Sequence, residues 1–321
     1  MASDPQIATE LDAQYRTLRE GAGLLERSSR GKLTISGSEG AEFLQGQLTN
    51  DIEALEPGDG CYAALLDRKG HMRADMRVLR LAADQIWIDT EPETIATAHR
   101  HLDMYRIGRD AEVADVGAER GILSLIGPRS IELIGNAPLG SEHRHAVRRI
   151  AEQDCVAVAT DSGVDLISSS DGIPALIEAL IDAGAEPIGE PAAELLRVES
   201  GRPRWGRELD ERTIPQEAGL NERAVSFEKG CYVGQETVAR LHYKGKPNRH
   251  LRRLRPGGPV EPGATVSLGD RQLGRIGTVA LSPAQGRLAL AILRREAEPG
   301  TEVTIESESG PIAASVEEIG A

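Results

Sequence analysis

The sequence predicts an α+β chain: two mixed blocks of strands and helices, then a small all-β unit that closes as a barrel. Three observations predict it. From Cys61 to Val116 the hydrophobic period switches between 2 and 3.6 in the order strand, strand, strand, helix, strand. A second mixed block runs from "GILSLIG" to the helix "IPALIEALIDAG" with the same rhythm but no shared sequence, so the blocks are architecturally similar rather than repeats. After Arg255 the texture changes: residues 251–321 hold 10 Gly and 6 Pro that punctuate short alternating runs.

In chain order, "SDPQIATELDAQYRTLREG" reads as a helix: Asp4 caps, Pro5 suits the first turn, Ile7, Leu11, Tyr15 and Leu18 share a face, and Gly21 ends it. "GKLTISG" alternates as a strand, and "GAEFLQGQLTNDIEALEPGDG" is a short amphipathic helix that breaks at Pro57 and Gly58. The first block supplies "YAALLD", a tight "DRKGH" turn, "MRADMRVLRL", "QIWIDT", a helix from Pro92 to Tyr105 with Ile95, Ala98 and Leu102 inward, and "AEVADV". The second supplies "CVAVAT" and "VDLISS", then a helix in which Leu176, Ile177, Leu180 and Ile181 form one apolar stripe. In the last unit, turns at Gly257-Gly258, Pro262-Gly263, Gly269-Asp270 and Pro299-Gly300 separate "ATVSL", "IGTVAL", "LALAIL" and "TEVTIE". A domain boundary falls near residue 250.

Composition narrows the function classes. A chain of 321 residues, 40% of them apolar, has room for two or three packed domains of about 100–200 residues. A net charge of -14 repels nucleic acid and anionic membranes, and 3% aromatic residues leave little for stacking bases. "MASDPQIATE" lacks the apolar core of a secretion signal, and no later run reaches the roughly 18 apolar residues of a membrane span, which predicts a soluble, cytoplasmic protein. Cys61, Cys155 and Cys231 are widely spaced with no CxxC pair, so neither a disulfide framework, a zinc ribbon nor a four-thiolate cluster is expected.

The chemistry-bearing residues begin with Cys231. If residues 229–233 are extended, Lys229 and Cys231 share a face, and a cation beside the sulfur favours a reactive thiolate; the bland alternative is a structural cysteine. Arg240, Lys244, Lys246, Arg249, Arg252, Arg253 and Arg255 fall within sixteen residues free of Asp and Glu, which suits an anionic small molecule or polyanionic tail, or simply a solvated face. His242 lies among them without a second ligand at metal spacing, so no metal site is expected. Asp75 stands on a strand whose other face carries Ala74, Met76 and Val78, where a carboxylate orients a polar heterocycle, acts as a base, or faces solvent. Glu199 ends a helix pattern, against the macrodipole, just before Gly201 and Pro203. Trp205 either plugs a domain seam or flanks a ring-shaped ligand.

The stretch "KGCYVGQE" (229–236) resembles the signature of the YgfZ-type folate-binding proteins, relatives of the aminomethyltransferase (T protein) of the glycine cleavage system. "FLQGQLTND" (43–51), "LLDRKGHMRADMRV" (65–78), "LLRVESGRPRWGRELDERTIPQEAGL" (195–220) and "VARLHYKGKPNRHL" (238–251) resemble successive blocks of that family in its own order. The resemblance implies a three-lobed ring: a first ferredoxin-like α/β lobe from residues 1–50 and 119–245, a related lobe from 51–118 inserted in it, and a β-barrel from 246–321. It also implies tetrahydrofolate, or a derivative such as the 5-formyl form, as cofactor. Glu199 is then a pterin contact, and Trp205, Tyr232, Gly234, Gln235, Glu236 and Arg240 join it in binding the folate. Transferase relatives carry an acidic pair on the strand of Asp75, where this chain has Ala74 and Asp75.

Two functions follow from the resemblance. The first is a tetrahydrofolate-binding accessory protein that supports assembly or repair of iron-sulfur enzymes through Cys231 and Lys229. Its partners are then a reduced, polyglutamylated folate and iron-sulfur enzymes or cluster-assembly proteins, with no membrane. The alternative is a folate-dependent aminomethyltransferase or demethylase that uses Asp75. An RNA-modification role is disfavoured by the acidic total and the few aromatics.

Overall fold

The computed structural model describes residues 5–319. Helix α1 (Pro5–Glu20) leads into β1 (Gly23–Glu26). Next come β2 (Gly31–Ser36), α2 (Gly40–Gln45), β3 (Gly60–Leu66), β4 (Met72–Ala82), β5 (Gln85–Thr90), α3 (Ile95–Tyr105) and β6 (Glu112–Asp115). The chain continues through β7 (Arg120–Ile126), α4 (Ser130–Leu133), β8 (His145–Ile150), β9 (Gln153–Ala159), β10 (Gly163–Ser169), α5 (Ile173–Asp182), β11 (Glu186–Pro187), α6 (Glu190–Ser200), α7 (Asn221–Ala224) and α8 (Gln235–Lys244). Strands β12 (Arg249–Pro256), β13 (Thr265–Leu268), β14 (Arg271–Ser282), β15 (Gly286–Arg294), β16 (Glu302–Ser307) and β17 (Gly310–Glu317) complete it. Two compact units result: one from residues up to Leu66, Arg73–Ala193 and Arg223–Val233, the other from Asp67–Met72, Glu194–Glu222 and Gly234 onward.

The first unit holds two sheets. One has the order β3-β4-β5-β2-β6, the other β11-β1-β7-β10-β9-β8. Strands β1 and β7 are antiparallel neighbours, although the whole of the first sheet lies between them in sequence, so one lobe is inserted in the other. The insertion begins at Gly31 rather than at residue 51, because β2 pairs with β5 and β6. Alternation identifies "GKLTIS" as a strand, but a period of 2 does not say which sheet receives it.

Each sheet buries one face under helices. Leu33, Ile35, Ala74, Met76 and Val78 pack with Phe43 and Leu44 of α2 and with Ala98 and Leu102 of α3. In the other sheet Leu123, Leu125, Ala157 and Leu166 pack against Leu176 and Leu180 of α5. Ile181, expected in that stripe, is 40% exposed. The opposite faces of the two sheets meet through Leu79, Trp87, Ile122, Val158 and Ile167. Arg77 crosses this seam, donating to Asp89 at 2.7 Å and to Asp165 at 2.6 Å.

Helix α1 buries Tyr15 and Leu18 and ends at Gly21, whose N–H bonds to Thr17 O. The Asp4 cap and the Ile7 side chain lie outside the described residues. Helix α2 stops at Gln45, shorter than the expected amphipathic run, because the Gln45 amide oxygen takes the N–H groups of Ile52 and Glu53 and folds the following segment into a loop.

The second unit contains a closed antiparallel barrel, β12-β15-β14-β13-β16-β17, with no free strand edges. Its interior alternates small and branched side chains, among them Ala289, Ala291, Leu293, Val266 and Ile305. No helix among the described residues is long and apolar enough to cross a membrane.

Candidate functional site

The site in the first unit grows from the alternation of β3 and β4. Ala63 and Leu65 of β3 pack on the same apolar core as Ala74 and Met76 of β4, so Tyr62 and Asp75 emerge on the other face. There the Tyr62 hydroxyl donates to Asp75 Oδ2, and Thr90 Oγ1 donates to the Asp75 carbonyl at 2.5 Å. Asp75 Oδ1 is buried and has no hydrogen-bond partner among the described residues. The Arg223 guanidinium lies 4.9 Å from the Tyr62 ring centroid and is tied to Glu142 at 3.0 Å.

These contacts set the protonation of the pair. Burial raises the Asp75 pKa; the Tyr62 hydrogen bond opposes it, Glu91 adds to it, and Arg30 opposes it. Burial and the adjacent carboxylate hold the Tyr62 pKa well above the ordinary phenol value, so Tyr62 keeps its proton and remains the donor. Tyr62 and Arg223 are the residues that sequence reasoning missed. Tyr62 was discoverable, because "YAALL" and "RADMRV" place Tyr62 and Asp75 opposite their apolar neighbours; Arg223 sits in a segment without a period.

The segment "QLTND" ties this pair to the cysteine turn. Asn50 Nδ2 donates to Tyr62 O at 2.8 Å and to Arg223 O at 3.2 Å. Its carbonyl, with those of Gln45 and Leu48, accepts three bonds of 2.6–2.8 Å from Lys229 Nζ. Thr49 Oγ1 donates to Ala224 O at 2.5 Å and receives Ala64 N–H at 2.8 Å. Lys229 is therefore an anchor, with its ammonium 5.1 Å from the Tyr232 ring and its pKa lowered to about 8 by burial.

That geometry corrects the expected Lys229–Cys231 pairing. Residues 229–233 form no strand, since a bend ends at Lys229 and a turn begins at Val233, and the two side chains do not share an environment: Lys229 is buried, whereas Cys231 is exposed. Tyr232 is buried, its hydroxyl pushed up to about 12 by desolvation. The other thiols are poor nucleophiles, since burial pushes Cys61 up to about 12 and Cys155 to about 11. Among the described residues, no group of three or more His, Cys, Asp or Glu is arranged to hold a metal ion.

The remaining expected residues lie in the second unit. Glu199 sits in the last turn of α6; Ser282 Oγ donates to its Oε1, and Arg253 donates to its carbonyl at 3.0 Å. Gly201 follows with φ +71, and a Cβ there would meet Ile319 Cγ2 at 2.2 Å. Trp205 is half-buried, in a bridge to Leu209. Gly234, at φ +82, caps α8, with Gln235 and Glu236 in its first turn and Arg240 exposed further along. The chain passes from the first unit to the second between Val233 and Gly234, so the KGCYVGQE motif is divided between them.

The basic stretch from Arg240 to Arg255 is not one open face. Arg249 grips Glu217 at 2.6 and 2.9 Å, and Arg253 and Arg255 share Glu317 at 3.0 and 2.7 Å. Arg252 donates to Ala297 O at 2.9 Å. These arginines hold the barrel, which leaves Arg240, Lys244 and Lys246 exposed.

Comparison with known proteins matches this framework. The family model described as GCVT N-terminal domain matches residues 4–229. The aminomethyltransferase of Rubrobacter xylanophilus is 27% identical over 317 residues, covering 94% of this chain and 84% of the relative. That of Thermus thermophilus is 26% identical over 321 residues, covering 97% and 90%. The crystal structure of glycine cleavage system aminomethyltransferase T from Bartonella henselae superimposes with a TM-score of 0.87 at 24% identity, over 96% of this chain and 88% of that one, a likeness of fold. The α+β architecture with its closed C-terminal barrel is thus that of the T protein, and the chain belongs to the glycine cleavage T family, whose N-terminal domain model spans most of its length.

Proposed function

We propose that this protein is a reduced-folate-dependent one-carbon transferase of the aminomethyltransferase kind, with Asp75 as the residue that orients and exchanges a proton with the folate amine. The observation that carries the proposal is the Asp75 carboxylate: one oxygen is held by Tyr62, while the other is buried without a partner among the described residues. An orphaned acceptor fits an N–H donor on a ligand. Tetrahydrofolate supplies, when bound, the secondary amine that receives a one-carbon unit. The raised pKa of Asp75 suits proton exchange nearer neutrality than an exposed aspartate, and Tyr62 fixes which oxygen remains available.

Within the proposal Glu199 remains a pterin acceptor, and Trp205, Tyr232, Gly234, Gln235, Glu236 and Arg240 remain folate contacts by family resemblance. Names of the relatives support the transferase reading, since they are aminomethyltransferases. A second reading is favoured by one feature. Cys231 is an exposed thiol on a lysine-anchored turn, as the YgfZ-type accessory role in iron-sulfur enzyme maintenance requires. Lys229 then serves that role as the anchor of the turn.

Calorimetric titration with tetrahydrofolate tests the ligand. Saturable binding is expected, weakened by about 1.5–3 kcal/mol in Asp75→Asn and in Glu199→Ala, as for loss of a charged acceptor. Absence of binding at millimolar folate, or unchanged affinity in both variants, overturns the proposal.

A further inference from the structure

The second unit contains a cavity of about 910 Å³, within the size range of small-molecule sites, that plays no part in the function proposed above. Its wall holds seven arginines and four carboxylates. Each of the carboxylates already pairs with an arginine, although Glu208 Oε1 and Glu296 Oε2 are buried without a hydrogen-bond partner among the described residues. Glu208 pairs with Arg197 at 3.0 Å, Asp210 with Arg212 at 2.7 Å, Glu217 with Arg249 at 2.6 Å, and Glu296 with Arg271 at 2.8 Å. Arg275 is engaged differently, donating to Gly263 O at 2.9 Å.

Three wall arginines are left. Arg207, Arg294 and Arg295 are exposed, and none of their side chains makes a hydrogen bond or salt bridge among the described residues, although Arg207 interacts electrostatically with Glu194 and helps lower that carboxyl's pKa. Arg294 and Arg295 have no internal counter-ion among the described residues, and Arg207 only shares Glu194 with Arg197 and Arg204, yet all three line a concavity of a chain whose net charge is -14. A guanidinium on a convex surface is satisfied by bulk water and passing ions. Around a concavity, like charges reinforce one another's potential and concentrate anions.

The scaffold is rigid. Leu273, Ile276 and Ile292 of β14 and β15 contribute to the wall, and the first two belong to the barrel core. No aromatic side chain lines the cavity, so stacked bases have no platform, and the engaged carboxylates interrupt any continuous track for a phosphate backbone. The lining therefore suits a compact ligand with several acid groups, each taken by a guanidinium fork.

We propose that this cavity is a binding site for a small polyanion bearing two or more carboxylate or phosphate groups. The test uses the full chain with citrate and tripolyphosphate as probes, against sodium chloride at matched ionic strength, read by calorimetry and thermal unfolding. At least one probe is expected to bind saturably and raise Tm, and the stronger one identifies carboxylate or phosphate as the preferred group. Arg207→Ser/Arg294→Ser/Arg295→Ser removes only exposed side chains that make no salt bridge; it is expected to keep the ligand-free Tm and to weaken the probe at least about tenfold. Restoring arginine at 294 and 295 is expected to recover part of the affinity. The inference is overturned if both probes act only through ionic strength, if the triple variant binds them as the parent does, or if a single-stranded oligonucleotide binds more tightly than either.

Discussion

At the scale of single residues, the chemistry turns on how two strands present Tyr62 and Asp75. The Tyr62 hydrogen bond lowers the Asp75 pKa against the larger effect of burial. Removing the hydroxyl in Tyr62→Phe therefore moves the Asp75 pKa upward. Carbon-13 carboxyl titration is expected to show that rise, and folate affinity, if it needs the ionised acceptor, is expected to fail at a higher pH and to drop about tenfold. A purely structural Tyr62 changes stability without moving the titration. Asp75 was legible because alternation alone separates it from Ala74, Met76 and Val78. The orphaned oxygen was not, since burial of a strand's polar face depends on what packs over it. Lys229 illustrates the opposite limit: its sequence spacing to Cys231 implied proximity only under an extended backbone, and the bends at 227–229 remove that premise.

At the scale of elements, the turn that carries Cys231 is fixed by one ammonium and three carbonyls. Lys229→Met leaves those acceptors without their donor and is expected to destabilise the protein by about 2–4 kcal/mol, measured by denaturant unfolding. Its pH dependence gives a second check. The folded pKa of about 8 lies below the ordinary 10.5, so between these values the unfolded chain binds more protons and stability rises with pH. That rise is expected to vanish in Lys229→Met. Alkylation of native protein near neutral pH is expected to label Cys231 ahead of Cys61 and Cys155, and to change rate in the methionine variant because the turn loosens.

The seam between the two sheets behaves with the opposite sign. Arg77 and Arg30 hold Asp89 down to about 2, below its ordinary 3.8. The stability it contributes is present above 3.8 and is lost as pH falls toward 2. Acid unfolding of Asp89→Asn is expected to show a flatter slope over that interval, on a lower baseline caused by the uncompensated arginines. If the slope is unchanged, the seam does not govern acid sensitivity.

For the whole molecule, local pattern reached the elements more readily than their assignment to sheets. The Gly- and Pro-punctuated runs after Arg255 predict a barrel because short antiparallel strands must close or leave edges exposed. The two mixed blocks were visible as periods. The transfer of β2 to the inserted sheet was not, because pairing partners far apart in sequence leave no mark on hydrophobic alternation. Charge followed the same rule. The cationic run at 240–255 was conspicuous in sequence, but Arg249, Arg253 and Arg255 are bound by Glu217 and Glu317, distant residues that the run itself cannot reveal.

The most direct test of the account is tetrahydrofolate-dependent one-carbon transfer from an aminomethyl donor, measured for the parent chain, Asp75→Asn and Cys231→Ser. The parent is expected to turn over, Asp75→Asn to lose about a hundredfold or more in rate, as for removal of a general acid-base group, and Cys231→Ser to keep nearly full activity. No transfer by the parent, together with loss of iron-sulfur enzyme support in cells carrying only Cys231→Ser, contradicts the central claim and makes the thiol the functional group.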